Sequence, residues 1–330
     1  MAPAEPLLVW TDPPREIIGF LASYLPLGAV GYYFAVLRPT LRQGFPGSAA
    51  LTDSAPRAAR IGLVGVLCGA LALLISVIGR AEHTGLGFSD TVILMRGPVV
   101  QRILLVTAVG LGFVLALLRR SWGWIIAALG ALWIQLNGLP QVFSGRWFGI
   151  VNPIHVLGGS LWLGTLFVMM VAGVGIALQA DAGERDAAVG TLVRRFSAIA
   201  LVGAGLLGIT GVITAWRHLH RWSSLWTTPY GWTLDAKLVV VLLILTLGFY
   251  HWRTVRLALG STPESVVTFR KTAWRELKLA GLVLVITSVL VSLPSPRSRP
   301  EGGPGGPGTA RFQGPPPGRP GGPPPGGDRD

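Results

Sequence analysis

Cysteine is nearly absent from this chain of 330 residues, which contains Cys68 alone. A single cysteine excludes a disulfide framework and any C-x-x-C metal motif, and because Cys68 lies in an apolar stretch we interpret it as a packing residue. Charged residues are also scarce, at 13% of the chain, whereas soluble domains have about a quarter. The nucleophile elbow, phosphate-binding loop and zinc-protease motif of soluble enzymes are missing too, so we do not expect an enzyme.

Apolar residues are correspondingly abundant in this chain. They make up 51% of the chain, and the mean hydropathy is +0.56. Long uncharged runs separated by short charged connections predict an all-α polytopic membrane protein, because an apolar helix of about 20 residues satisfies its own backbone hydrogen bonds inside a bilayer. Hydropathy predicts eight transmembrane helices, at 17–37, 61–78, 103–118, 122–136, 153–178, 196–216, 238–252 and 277–293.

The eight predicted spans divide into two halves. Residues 1–150 contain spans one to four, residues 151–294 contain spans five to eight, and residues 295–330 form a tail rich in Pro and Gly that we expect to be disordered. A shift of 135 residues superposes His83 on His218 and Arg102 on Lys237. Two parallel four-helix repeats are therefore a hypothesis, and the interface between repeats is where transporters often bind their substrates.

The basic residues indicate how the chain is oriented. The net charge is +13, but Lys and Arg lie mainly in the connections between spans, so the positive-inside rule explains them and no nucleic-acid partner is expected. Lys and Arg are more numerous after spans one, three, five and seven than in the other connections. This asymmetry predicts a protein of the lipid bilayer with both termini on the extracytoplasmic side.

The run from Asn152 to Gly164 contains the only histidine placed inside a long apolar stretch. Asn is a favoured N-cap and Pro153 suits the first helical position, so we predict a helix that begins here with His155 in its first turn. No charged residue follows until Asp181, and this distance exceeds what a bilayer crossing needs. We therefore expect His155 near one membrane face rather than at mid-depth.

Three other histidines fall on the same predicted side of the membrane. His83 follows span two, and His218 and His220 follow span six, whereas His251 falls on the opposite side. Neutral imidazole is a common metal ligand, and copper ions accept it readily. His155, His83, His218 and His220 are therefore candidate copper ligands, and ordinary polar or packing roles are the alternative interpretation.

One face of span five combines His155 with small and sulfur-containing side chains. Gly158 and Gly159 follow at helical spacing, and paired glycines would let another helix approach closely at the level of the histidine. Met169 and Met170 lie about 20 Å deeper in an ideal helix. Thioether sulfur is a Cu(I) ligand, although a methionine in a membrane helix is more often a packing residue.

Motifs in the second half resemble a known family. Thr227-Thr-Pro-Tyr-Gly231 is followed by Leu234-Asp-Ala-Lys237-Leu and a long aliphatic span, Arg275-Glu276-Leu277 leads into span eight, and the pattern H-x-x-G-x-x-x-W-x-G runs from His155 to Gly164. These motifs resemble the copper resistance protein D (CopD) family, most strongly over about 196–294.

The resemblance implies an eight-helix protein of the bacterial cytoplasmic membrane that takes up copper or maintains copper homeostasis. It also implies a periplasmic copper-binding protein as a frequent partner. The residues at family-pattern positions are His155, Trp162, Tyr230, Gly231, Lys237 and Glu276.

The residues leave three functions open. The leading hypothesis is a copper transporter or copper-handling protein with an extracytoplasmic site that contains His155, with His83 and His218 as candidate partners. A haem-binding electron carrier is the first alternative, and it would need two histidines that face one another at matched depth. A non-transporting assembly or scaffold protein is the second, and it would need none of these histidines.

Overall fold

The computed structural model describes residues 10–44, 48, 50–136, 147–219, 223–250, 253 and 263–293. Every regular element in these ranges is a helix, as the composition predicts. The first half contains α1 (Asp12–Gln43), α2 (Ser54–Thr84), α3 (Phe88–Leu94), α4 (Arg96–Leu117) and α5 (Ser121–Leu136). The second half contains α6 (Phe148–Ala177), α7 (Ala182–Leu219), α8 (Ser224–Thr227), α9 (Pro229–Tyr250) and α10 (Pro263–Ser292).

Six of these helices are long and apolar enough to cross a membrane, namely α1, α2, α4, α6, α7 and α9. Many of their outward side chains are large and apolar, such as Leu67, Leu201 and Leu242, which are 65–76% exposed. An apolar surface of this extent is unfavourable in water and favourable against lipid tails. The chain is therefore a helical membrane protein.

Two of the eight predicted spans stay predictions, as do the two-repeat arrangement and the disordered tail. The helix α5 has 16 residues, which is short of the roughly 20 that a bilayer crossing needs. The helix α10 has 30 residues, but Arg275, Glu276 and Lys278 lie where its apolar stretch begins. The tail at 295–330 lies outside the described residues.

Several helices extend beyond the apolar stretches that predict them. Arg195 and His218, expected in connections, lie within α7. The helix α9 begins at Pro229 rather than at 238, which places Lys237 two turns inside it. Hydropathy detects the part of a helix that contacts lipid, whereas the helix itself continues because each added turn keeps the backbone hydrogen-bonded.

The helices α1 and α6 cross at the centre of the bundle. The most apolar stretch of α6 is 78% buried and that of α1 is 50% buried, against 17–28% for the other four candidate spans. At the crossing, Gly28 of α1 lies so close to Gly164 of α6 that a Cβ on Gly28 would overlap the Gly164 backbone. The helix α2 packs on α1 and α7 packs on α6, so this central contact positions both halves.

The paired glycines of α6 bring two different helices close, as the sequence predicts. A Cβ on Gly158 would lie 2.9 Å from the carbonyl oxygen of Gly203 in α7. A Cβ on Gly159 would overlap the hydroxyl group of Tyr24 in α1. Because neither position has room for a side chain, α6 contacts α7 and α1 through its backbone just beyond His155.

We expect Gly203→Ala to destabilise the protein by about 1–3 kcal/mol, the usual cost of overpacking a tight contact. The added Cβ would lie 2.8 Å from the Gly158 carbonyl oxygen and 3.0 Å from the backbone nitrogen of Trp162. Gly205→Ala is the matched control on the same helix, because nothing lies within 4 Å of its Cβ position. Thermal unfolding of the purified variants tests this, and equal melting temperatures would contradict a tight crossing at Gly203.

Candidate functional site

The first turns of α6 position His155. A 3-10 turn, Trp147–Ile150, leads directly into the α-helical segment Val151–Gly159, whose N-cap residue is Ile150 and makes no side-chain capping bond. The predicted N-cap at Asn152 is therefore wrong, because the preceding turn already carries the chain into the helix. Pro153 still fits, since backbone N–H groups in a first turn have no acceptor within the helix. His155 lies in the second turn rather than the first.

A hydrogen bond from His155 to α7 orients the imidazole ring. The Nδ1 atom lies 2.9 Å from Oγ1 of Thr210, and the Thr210 hydroxyl donates its only proton to the carbonyl oxygen of Leu206. Thr210 therefore accepts a hydrogen bond from His155, which assigns the ring proton to Nδ1. With the proton on Nδ1, the lone pair of the neutral imidazole lies on Nε2, the nitrogen that can bind a metal ion.

The ring of His155 lies against α7 at a position without a side chain. A Cβ on Gly211 would lie 3.5 Å from Cε1 of His155, so a larger residue there would crowd the ring. Thr210 is 5% exposed, whereas His155 is half-buried. The bonded side of the imidazole is thus enclosed between α6 and α7.

The helix α7 carries a stripe of polar residues along the side that holds His155. Thr210, Thr214 and His218 follow one another at intervals of four residues, which places them on one face. Thr214 Oγ1 donates to the Thr210 carbonyl oxygen at 2.8 Å, and His218 Nδ1 lies 2.9 Å from the Thr214 carbonyl oxygen. Because a carbonyl only accepts, His218 also has its ring proton on Nδ1 when neutral, and its Nε2 is also a potential ligand.

The two imidazoles are therefore attached to neighbouring turns of one helix. The partners of His155 and His218 are Thr210 and Thr214, and four residues correspond to about 6 Å along a helix. His218 lies in the last turn of α7, so His155 is the deeper of the two. Thr210 and Thr214 were not among the predicted site residues, although their spacing from His218 is visible in the sequence.

The Thr-Pro-Tyr-Gly segment before α9 holds His218 in place. Tyr230 stacks on the His218 ring, with centroids 5.9 Å apart and planes 14° apart. Thr228 has an extended backbone and joins α8 to α9 through one hydroxyl, which donates to the Ser224 carbonyl oxygen and accepts from the Gly231 N–H at 3.0 Å. Thr228 thus serves as the N-cap of α9, and Pro229 occupies the first helical position.

Gly231 is required by the close approach of α8. A Cβ at this position would overlap the carbonyl oxygens of Ser224 and Leu225. Any other residue would push α8 away from α9, and Tyr230 would lose its position against His218. The Thr-Pro-Tyr-Gly motif, which suggests the family, therefore also holds His218 in place.

Lys237 lies on the same face of α9 as Tyr230, two turns further along the helix. Leu234 lies between them at helical spacing and is buried. Because Tyr230 stacks on His218, this face of α9 is the one directed toward α7, and Lys237 lies on it.

Of the remaining histidines, the structure describes His83 alone. His83 is exposed in the last turn of α2. Across the described residues, no three His, Cys, Asp or Glu side chains form a group that could hold a metal ion, so His83, His155 and His218 do not share a single three-histidine site. His220 and His251 lie outside the described residues.

The other residues noted in the sequence lie deeper in the bundle or away from His155. Met169 and Met170 are 0% and 4% exposed, within a π-helical segment of α6. Trp162 is buried in a second π-helical segment, Ser160–Gly164, and such segments are frequent near functional sites. Glu276 is 5% exposed in α10, and Cys68 is half-buried in α2.

Comparison with known proteins supports the family resemblance. The family described as Copper resistance protein D matches residues 190–290, a range that includes Thr210, His218, Tyr230 and Lys237 but not His155. The Copper transport protein CutJ of Bacillus subtilis (strain 168) is 27% identical over 162 residues. That match covers 48% of this chain and 28% of the relative, so the chain spans little more than a quarter of the relative's length. No solved structure matches the chain significantly.

Thr228→Ala should destabilise the protein by about 1 kcal/mol, because it removes the N-cap of α9. Thr228→Ser should retain most of the stability, since serine keeps the hydroxyl. Thr227→Ala is the matched control, because the exposed Thr227 hydroxyl bonds only within its own turn, to the Ser223 carbonyl oxygen. Thermal unfolding measures all three variants, and a Thr228→Ala protein as stable as Thr227→Ala would refute the capping role.

Proposed function

We propose that this chain, whose residues 190–290 match the Copper resistance protein D family, is a non-enzymatic transporter that moves copper ions across the membrane. The ion is the transported substrate, and Nε2 of His155 is its principal ligand. One observation carries the proposal: His155 Nδ1 lies 2.9 Å from the Thr210 hydroxyl, which donates its own proton to Leu206, and this places the lone pair of the neutral ring on Nε2.

The chemistry of the surrounding residues suits copper. Imidazole nitrogen is a good ligand for copper ions, and thioether sulfur is a good ligand for Cu(I). His155 lies near the beginning of α6, and Met169 lies in the same helix about 20 Å further along. Burial of polar groups within a membrane is costly, so an embedded histidine with a bonded partner is a functional candidate.

His218 is proposed as the ligand that meets the ion first. Its ring is half-buried in the last turn of α7 and is held by Thr214 and Tyr230. An ion that leaves His218 would next meet His155, because Thr210, the partner of His155, lies eight residues further inward along α7, about 12 Å. His220 stays a candidate ligand two residues further on, and His83 belongs to the end of a different helix.

The direction of transport follows from the proposed orientation. The family resemblance implies the bacterial cytoplasmic membrane, and the distribution of Lys and Arg favours both termini, and hence the outer end of α7, on the extracytoplasmic side. Copper would then reach His218 from outside and move inward past His155. A periplasmic copper-binding protein is the proposed donor of the ion.

The alternative functions have less support. His155 and His218 bond to successive turns of one face of α7, whereas a haem would need two histidines on opposite sides of the ring plane. A scaffold protein would not need a histidine whose ring is oriented by a hydrogen bond to a second helix. A reduced-minus-oxidised spectrum of the purified protein tests the haem alternative directly.

His155→Ala should reduce copper accumulation in expressing cells to the level of the empty vector, because it removes the principal ligand. His83→Ala is the matched control and should accumulate copper like the wild type, since His83 is exposed at the end of α2. Inductively coupled plasma mass spectrometry of washed cells measures the uptake. If cells with the His155→Ala variant accumulate as much copper as cells with the wild type, at equal protein abundance, the proposal is refuted.

Thr210→Val should weaken copper binding by about 10- to 100-fold, the usual effect of losing a hydrogen-bond partner behind a metal ligand. Valine matches threonine in shape but offers no acceptor to Nδ1, so the ring proton can move to Nε2 and block it. Thr210→Ser should restore binding. Competition titration of the purified proteins against a Cu(I) chelator gives the affinities, and identical affinities for Val and Ser variants would exclude this role of Thr210.

A further inference from the structure

We infer that Lys237 makes the His155 site selective for a monovalent soft cation, the class to which Cu(I) belongs, over divalent metal ions. The inference rests on the proposed function, because it concerns the same site. It goes further by naming the charge state of the ion that the site accepts.

The arrangement of α7 and α9 places Lys237 at the depth of His155. The two helices contact each other where His218 stacks on Tyr230. Thr210 lies eight residues inward from His218 along α7, which is about 12 Å. Lys237 lies seven residues inward from Tyr230 along α9, which is about 10 Å. Lys237 and Thr210 are therefore level, and Thr210 holds His155.

The side chain of Lys237 is directed into the bundle. It shares a helix face with Tyr230 and Leu234, which are 8% and 6% exposed, and Lys237 itself is half-buried. An ion bound to Nε2 of His155, at the level of Lys237, would therefore experience the positive field of the Lys237 ammonium group.

The acidic residues of the two neighbouring helices do not offset this charge at the level of His155. Asp235 precedes Lys237 by two residues, which directs it about 200° away around α9. Glu276 is the only buried carboxylate within the described ranges, and it engages in interactions of its own. Leu290 of α10 lies in one buried apolar cluster with Tyr230 and Leu234, and Glu276 lies about 21 Å further along α10, which is deeper than Lys237.

A nearby fixed cation discriminates between ions by their charge. Imidazole binds copper and zinc alike, so neutral ligands alone would not exclude divalent ions. Repulsion between unit charges ~10 Å apart, at an effective dielectric constant near 20, weakens binding by roughly tenfold. A divalent ion experiences about twice this repulsion free energy. Removal of the Lys237 charge should therefore change the ratio of the divalent-ion affinity to the monovalent-ion affinity by roughly tenfold.

The test compares Ag⁺ with Zn²⁺ on the purified full-length protein in lipid nanodiscs. Ag⁺ is a soft monovalent probe that does not change oxidation state, and Zn²⁺ is a divalent ion that also accepts imidazole. Dissociation constants are measured by competition for the wild type and for Lys237→Gln, Lys237→Arg and His155→Ala. The wild type should bind Ag⁺ more tightly than Zn²⁺, and His155→Ala should lose both.

Lys237→Gln should shift the preference about tenfold toward Zn²⁺, whereas Lys237→Arg should keep the wild-type preference because it keeps the charge. An unchanged preference in a Lys237→Gln protein that still binds Ag⁺ through His155 would overturn the inference and leave the proposed function intact. Wild-type protein that binds Zn²⁺ at His155 as tightly as Ag⁺ would also overturn it, even if Lys237→Gln fails to fold. Binding of neither ion through His155 would refute the proposed function itself.

Discussion

Direct backbone contact at glycine residues is the constraint on which this structure depends. Lipid tails are as apolar as the helices they surround, so helix association in a membrane relies on close packing rather than on the hydrophobic effect. Gly28 and Gly164 let α1 and α6 touch at the centre, and Gly158 and Gly203 let α6 and α7 touch beside it. The second contact lies one turn from His155, so the same packing brings the histidine against its partner on α7.

The need to satisfy polar groups inside the bundle also determines the chemistry of the site. Thr210 and Thr214 return their hydroxyl protons to carbonyl oxygens of their own helix, a common arrangement for threonine in membrane helices. Thr210 is then left as an acceptor, and His155 must donate to it. The hydrogen bond of Thr210 within its own helix thus decides which nitrogen of the histidine carries the proton.

The family motif gains separate physical roles in this arrangement. Thr228 caps α9, Gly231 admits α8, Tyr230 supports His218, and Lys237 lies on the same face of α9 as Tyr230. The first two explain why the local chain folds as it does, and the third acts on a histidine. The principal ligand in our proposal, His155, belongs to the neighbouring helix α6 and lies before the matched range of 190–290.

The amino-acid sequence by itself determined the helical membrane fold, six of the spans, the close approach at Gly158 and Gly159, and the family resemblance. These features depend on local composition and helical periodicity, which a single chain displays directly. The ends of the helices were less predictable, because hydropathy does not distinguish a charged connection from a charged helical turn. Only the tertiary structure decided that Thr210 bonds to His155 and that Tyr230 stacks on His218. These relations depend on how each helix is rotated and tilted against its neighbours, and that is determined by packing between residues far apart in the chain.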